Sequence, residues 1–328
     1  MTKQIVGIDI GGTTVKIGLI SPDGEILKKW EIPTDTSGGG ERIVGDIWQS
    51  LRSQLADEQL NQEDILGLGV GAPGFIDGET GFVYEAVNIG WEDFDLAGQL
   101  KEESGLPVFV QNDANIAVLG ENWKGAGNQA QNVIAITLGT GVGGGIIANG
   151  EIVDGENGMA GEIGHYTIDP YGHLCNCGRR GCLETIVSAT GMVRQAVEQA
   201  GQDPEGKLAL LQRENGNLSA KDIADLAAEG DTASIGIIRQ NAAILGRVIS
   251  NLGTVINPSK VLIGGGVSKA GDLLIGEIAT AFRRYALKRV SDICEVKQAR
   301  LGNDAGIIGG AFLVKQKLLN VEFDNPSV

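Results

Sequence analysis

Along the first thirty residues the apolar positions come in three short blocks, QIVGIDI (4–10), VKIGLI (15–20) and EILKKWEI (25–32), separated by GGTT and by the turn SPDG. Blocks of this length between turn residues predict strands, and their close spacing predicts a β-meander. A helix is expected from about Glu41 to Gln59. ILGLGVGAPG (65–74) is continuously apolar and ends in glycine, the pattern of a buried strand running into a loop. Residues 95–104 predict a short helix with Asp95 as its N-cap. LPVFVQNDANIAVLGE (106–121) reads as strand, loop and helix.

The pattern then starts again. VIAITLGTGVGGGIIANGEIV (133–153) repeats strand, glycine loop and strand, and a shift of 128 positions sets Thr137 on Asp9 and Gly139 on Gly11. QNDANIAVLG (111–120) is echoed by GNDAGIIGGA (302–311), and LGVGAPG by VLIGGGVS (261–268). Three echoes in one chain indicate a duplicated α/β unit. Helical segments are expected near 184–200, 219–229 and 231–252, with Ser219 as an N-cap. The polar stretch 202–218 reads as a surface excursion. No low-complexity linker interrupts the chain.

Composition narrows the function. The chain has 328 residues, 42% of them hydrophobic, enough to bury a substantial core. Its 51 glycines cluster in loops, where close approach of backbone to a ligand is expected. A net charge of −16 argues against nucleic acid and anionic membranes as partners. It leaves a nucleotide open, because backbone N–H groups and a metal ion can hold phosphates. No signal peptide and no run of eighteen apolar residues is evident, so a cytoplasmic protein with reduced thiols is expected.

GTGVGGG (139–145) matches G-x-G-x-x-G, but β-like residues follow it where a dinucleotide fold needs a helix. A better reading pairs Gly11, Gly12, Thr13 and Thr14 with Gly139, Thr140 and Gly141. Both are strand reversals rich in bare N–H groups and hydroxyls, suited to gripping a polyphosphate. Asp9 would orient Mg²⁺ through water; the alternative is an ordinary hairpin with a strand-edge Asp. Asn112-Asp113 closes a strand and opens a helix. Asp113 there could accept a proton from a substrate hydroxyl, or merely cap the helix. Asp304, in the same local context, is expected to be only a cap.

Both histidines and three of the four cysteines fall within His165–Glu184, HYTIDPYGHLCNCGRRGCLE. Cys175, Cys177 and Cys182, with His165, form the donor set of a closed tetrahedral zinc site. His173 is the rival fourth ligand at a cramped spacing. Arg179 and Arg180 can offset thiolate charge. Cys294 lies apart and reads as a buried thiol. A metal held through one nitrogen of His165 leaves the other as a directed donor, and Glu162 and Glu184 frame it with acceptors. Such a ring suits a polyhydroxylated ligand, with zinc in a structural role.

GIDIGGTTVK, GAPG, NIGW, NDAN, TLGTGVGGG, GEIGH and CNCGRRGCLE occur here, and together they resemble the ROK family of repressors, open reading frames and kinases. The likeness runs from Gly7 to about Leu313 and is strongest to its bacterial ATP-dependent glucokinases. It implies an α/β, duplicated actin/hexokinase/Hsp70-like (ribonuclease H-like) fold: two lobes with a cleft between them. The expected lobes are 1–112 plus about 305–328, and 113–304 carrying the zinc loop. The family's general base falls on Asp113. Its sugar contacts fall on Asn112, Glu162, His165 and Glu184, with a backbone contact from Gly74. Its zinc ligands fall on His165, Cys175, Cys177 and Cys182. Its nucleotide loops fall on residues 9–14, on 139–141 and on Gly264, Gly265 and Gly266.

The expected activity is phosphoryl transfer from MgATP to the 6-hydroxyl of glucose, by positioning and charge stabilisation. Other hexoses or N-acetylhexosamines (N-acetylmannosamine, N-acetylglucosamine, fructose, allose) are the nearest alternatives, since no residue evidently reads the 2-substituent. A sugar-sensing repressor is disfavoured, because the first strand begins near residue 4 and leaves no room for a helix-turn-helix. An actin-like filament or chaperone ATPase does not account for a metal-anchored histidine between glutamates. A homodimer is expected from the resemblance.

Overall fold

The computed structural model describes residues 3–323; the outermost ends of the expected first lobe, 1–2 and 324–328, lie outside them. The chain groups into two compact units. One comprises the residues up to Gln131, Gly145–Gly161 and those from Arg300 onward; the other comprises Asn132–Gly144 and Glu162–Ala299.

The first unit opens with the expected meander, β1 Gln4–Ile10, β2 Thr14–Ile20 and β3 Ile26–Pro33, each antiparallel to the next. The edge strand β3 alternates half-buried and exposed residues, as a strand with one solvated face should. After helix α1 (Ile43–Asp57), β4 (Ile65–Ala72) joins β1 in parallel. Its unbroken apolar run reflects burial on both faces. Residues 75–94, for which no strand was expected, form a small antiparallel sheet of β5 (Phe75–Ile76), β6 (Val83–Ala86) and β7 (Trp91–Phe94). Its strands are too short to show a period, and stacked Trp91 and Phe94 rings steady it. Helix α2 (Leu96–Ser104) is capped by Asp95, whose carboxylate accepts the Gly98 N–H. Strand β8 (Val108–Asn112) completes the sheet β3-β2-β1-β4-β8 and leads into α3 (Asp113–Lys124).

The duplication is plain in the second sheet. Strands β9 (Val133–Leu138), β10 (Val142–Ala148) and β11 (Glu151–Ile152) repeat the meander. Four helices follow: α4 (Glu184–Val187), α5 (Ala189–Gln202), α6 (Lys207–Asn215) and α7 (Ala220–Ala228). The single helix expected near 184–200 is broken at Ser188, whose extended backbone ends α4 and whose hydroxyl caps α5. The stretch 202–218, expected as an excursion, contains α6, which buries only Leu208 and Ala209 and so shows almost no apolar stripe. Ser219 caps α7 in a reciprocal capping box with Asp222. The long α8 (Thr232–Ile256) precedes β12 (Lys260–Gly264), α9 (Asp272–Tyr285), α10 (Lys288–Ser291) and β13 (Glu295–Gln298). The order β11-β10-β9-β12-β13 reproduces the first sheet strand for strand, with β12 parallel to β9 and β13.

The last helix, α11 (Ala305–Leu319), returns to the first unit and buries every residue from Ala305 to Val314. It packs on α3 through paired glycines. A Cβ on Gly309 would run into the Ile116 carbonyl, and one on Gly120 into the Ala305 carbonyl. This packing groups α3 with the first unit, whereas the expected lobes divide the chain at Asp113. Among the described residues no helix is long and apolar enough to cross a membrane.

Candidate active site

Strand β8 ends and α3 begins between Asn112 and Asp113. Asn112 is the N-cap: its Oδ1 accepts the N–H groups of Ala114 at 2.9 Å and Asn115 at 3.3 Å. Its Nδ2 donates to the Gly74 carbonyl at 3.0 Å, so two residues assigned to sugar contact by resemblance are joined to each other. The cap being filled by Asn112, Asp113 is released from that duty. Its carboxylate is exposed, with Oδ1 accepting the Ala114 N–H at 2.8 Å. Asp304 departs from expectation. It makes no cap bond, and its carboxylate instead binds the Lys29 ammonium at 2.8 Å.

The first glycine turn is closed by the Gly11 N–H donating to the Thr14 carbonyl at 3.0 Å. The Thr34 hydroxyl donates to the Gly11 carbonyl at 2.7 Å and fixes the turn from the side. Gly12 and Thr13 remain exposed. Asp9, one strand position before this turn, pairs across the hairpin with Lys16 at 3.7 Å. Burial raises the Asp9 pKa, and the Lys16 charge opposes the rise. Lys16 escaped the sequence reading, although antiparallel pairing of two strands around GGTT sets it opposite Asp9.

The second turn is closed over a shorter span, by the Gly139 N–H donating to the Gly141 carbonyl at 3.0 Å. Gly141 lies against the Glu184 carboxylate, which a Cβ there would push aside. That carboxylate accepts the Val142 N–H at 3.1 Å, tying the loop to the base of α4. At Gly265 the backbone is left-handed (φ 82°) and a Cβ would hit the Leu138 carbonyl, so the 264–266 turn packs against the end of β9.

The donor atoms of His165, Cys175, Cys177 and Cys182 all lie within 4.8 Å of one another. His165 Nδ1 is 3.6 Å from Cys175 Sγ, and Cys177 Sγ is 3.6 Å from Cys182 Sγ. A tetrahedral ion with metal–sulfur bonds of about 2.3 Å sets its sulfurs ~3.8 Å apart, so the cage is close to the size such an ion needs. All four cysteines are free thiols. The exposed His173, the rival ligand, is not among the gathered donors; its carbonyl accepts the Gly181 N–H at 2.8 Å and so closes the loop. Desolvation pushes the Cys175 thiol up to about 12. At Cys177 desolvation is outweighed by the Arg179 N–H and guanidinium, which bring it down to about 6. Desolvation also raises Cys182. Protein groups alone thus favour one thiolate of the three, and a bound cation would supply the charge for the others.

With Nδ1 turned to the thiols, His165 presents Nε2 on its other side, 3.9 Å from Glu162 Oε2. Desolvation raises the Glu162 pKa, His165 opposes the rise and Glu184 adds to it. Glu184 Oε1 lies 3.5 Å from Cys175 Sγ. The second unit therefore gathers two carboxylates and one oriented imidazole beside the cage, a set able to accept from and donate to vicinal hydroxyls.

The sequence model of the ROK family matches residues 5–317. The chain is 52% identical to a glucokinase from Halalkalibacterium halodurans over 98% of both chains. It is 27% identical to a xylose repressor from Caldicellulosiruptor bescii, over 97% of this chain and 79% of that one. The crystal structure of a ROK family glucokinase from Streptomyces griseus, in complex with glucose and AMPPNP, superposes with a TM-score of 0.78 at 35% identity, covering 95% of this chain and 99% of that one.

Proposed function

We propose that this chain, which belongs to the ROK family, is a glucokinase that transfers the terminal phosphoryl group of ATP to the 6-hydroxyl of glucose. The observation that carries the reading is the 52% identity, from end to end, to a glucokinase. The likeness to a structure holding glucose and an ATP analogue supports it from the side of the fold.

Asp113 is the general base. Asn112 supplies the helix cap, and the exposed Asp113 carboxylate takes the proton of the attacking hydroxyl. Asn112, the Gly74 backbone, Glu162, His165 and Glu184 bind the sugar hydroxyls. Gly11, Gly12, Thr13 and Thr14, the turn Gly139–Gly141 and the turn Gly264–Gly266 hold the phosphates and nucleoside through bare N–H groups and hydroxyls. Asp9 orients Mg²⁺ through water, with Lys16 beside it. Bound with ATP, Mg²⁺ neutralises charge on the phosphates.

His165, Cys175, Cys177 and Cys182 hold a structural zinc, for which their spacing and donor types are suited. Four protein ligands leave no open position, so zinc would fix the imidazole and its Nε2–H rather than act on the substrate. The enzyme works in the cytoplasm as a homodimer without nucleic-acid or membrane partners; the net charge of −16 favours the last point.

The test is ADP release from MgATP across glucose, fructose, allose, N-acetylglucosamine and N-acetylmannosamine. Glucose should give the highest kcat/KM, with glucose 6-phosphate as product. Faster turnover of an N-acetylhexosamine would replace the assigned substrate, and no turnover of any sugar would point to a sensor.

A further inference from the structure

Asp154, which no part of the proposed mechanism uses, sits half-buried against the strand-to-helix turn that carries Asn112 and Asp113. Its Oδ1 accepts from Gln111 Nε2 at 2.8 Å and from Asn115 Nδ2 at 3.2 Å. Gln111 and Asn115 are themselves almost fully buried, at 4% and 2% exposure, so neither amide can take water in exchange for a lost partner. Gln111 Oε1 in turn accepts the Asn112 backbone N–H at 2.8 Å and Asn115 Nδ2 at 3.3 Å. A chain of hydrogen bonds therefore runs from Asp154 through two amides to the backbone of the catalytic turn. It extends to the loop after β4, where Asn112 binds the Gly74 carbonyl. At Gly78, in the turn after β5, a Cβ would collide with Asp154 Oδ2 and Gln111 Nε2.

We propose that Asp154 is a positioning residue: by fixing Gln111 and Asn115 it holds the Asn112–Asp113 turn in the orientation that proton abstraction requires. This rests on the reading of Asp113 as general base. Asp154 Oδ1 accepts from both amides and so fixes which way each is turned. Without its acceptor, Gln111 Nε2 must rotate towards another oxygen, and Oε1 then leaves the Asn112 N–H. Misplacement by about 1 Å at a reacting group costs on the order of 10²-fold in rate. Desolvation raises the Asp154 pKa, with the Gln111 bond and Lys317 opposing and Asp77 adding to the rise, as expected of a carboxylate withdrawn from water to serve amide donors.

The experiment is a kinetic cycle on the full-length enzyme. Asp154→Ala should lower kcat for glucose about 10–100-fold while leaving KM for ATP unchanged. Asp154→Asn retains an acceptor oxygen for both amides and should restore kcat close to wild type. In an Asp113→Asn background, Asp154→Ala should slow the residual rate no further, because the group it positions is already gone. Gln111→Met, nearly isosteric but lacking the amide, should reproduce the loss and decides the matter if Asp154→Ala is unstable. Near-wild-type kcat in both Asp154→Ala and Gln111→Met would overturn the proposal. So would an Asp154→Asn variant as slow as the alanine, or an equal slowing in the Asp113→Asn background. Failure of the underlying reading looks different: Asp113→Asn alone would then turn over normally.

Discussion

The first unit contains two strand-to-helix turns with the same three residues, Asn112-Asp113-Ala114 and Asn303-Asp304-Ala305. One copy caps its helix with the asparagine and leaves the aspartate exposed. The other makes no side-chain cap bond and commits its aspartate to Lys29. Duplication thus left one turn with an exposed aspartate and one whose aspartate is held by a lysine. Asn112 is bonded to Gln111, Ala114, Asn115 and Gly74, whereas the helix after Asp304 is buried along its first ten residues. A motif repeated in a chain is therefore not evidence of a repeated role.

The largest effect should come from carrying the same substitution into both turns. Asp113→Asn should keep glucose binding and lose about 10²–10⁴-fold in kcat. Asp304→Asn should leave kcat unchanged. Steady-state kinetics with glucose binding measured separately checks this. Near-normal turnover in the first variant would remove the distinction between the turns.

A second variant sharpens the comparison by disabling a region far along the chain from either turn. Cys177→Ala removes one of four gathered donors, and the protein should lose its zinc on elemental analysis. Because the freed imidazole no longer has a fixed direction, glucose KM should rise on the order of tenfold or more, in the range found for lost metal-site supports. Asp113→Asn should show the opposite split, a fallen kcat with KM retained. A zinc-free Cys177→Ala protein with normal glucose KM would separate the metal from the sugar.

The helices that follow the two turns can be broken symmetrically. Gly309→Ala and Gly120→Ala each push a methyl group into a backbone carbonyl of the partner helix, Ile116 in one case and Ala305 in the other. Each should cost about 1–3 kcal/mol of stability in denaturant unfolding, with kcat of the folded fraction retained.

Most of this was legible before the structure. Strands at 4–10, 15–20 and 65–72, the restart near 133, and the gathering of His165 with three cysteines all follow from apolar periodicity and ligand spacing. Asp95 and Ser219 cap as expected because an N-cap acts within four residues of itself. What was missed depends on partners distant in sequence. The Lys29–Asp304 pair spans most of the chain, and the Asp154 bonds to Gln111 and Asn115 run from the loop after β11 to the end of β8 and the first turn of α3. Neither carries a local signal. The strands between residues 75 and 94 were missed for a different reason, being too short for a period of two to register.

The smallest predicted effect bears most directly on why the second turn abandoned its capping role. Asp304 could serve its helix or serve Lys29, and its carboxylate is turned to Lys29. The Lys29 side chain is more than half exposed, at 56%, so water screens the pair and little stability rests on it. Lys29→Ala should therefore cost only about 0.2–1 kcal/mol, less at high salt, and leave kcat untouched. With the lysine gone, the Asp304 carboxylate is free to turn back to the helix N-terminus, where the partial positive charge of the helix end attracts a negative charge. Asp304→Asn in the Lys29→Ala background should then cost more than in the wild type, where Lys29 holds the side chain away. Equal costs in the two backgrounds would mean that the pairing with Lys29 does not decide how this aspartate is used, and that burial of the helix behind it does.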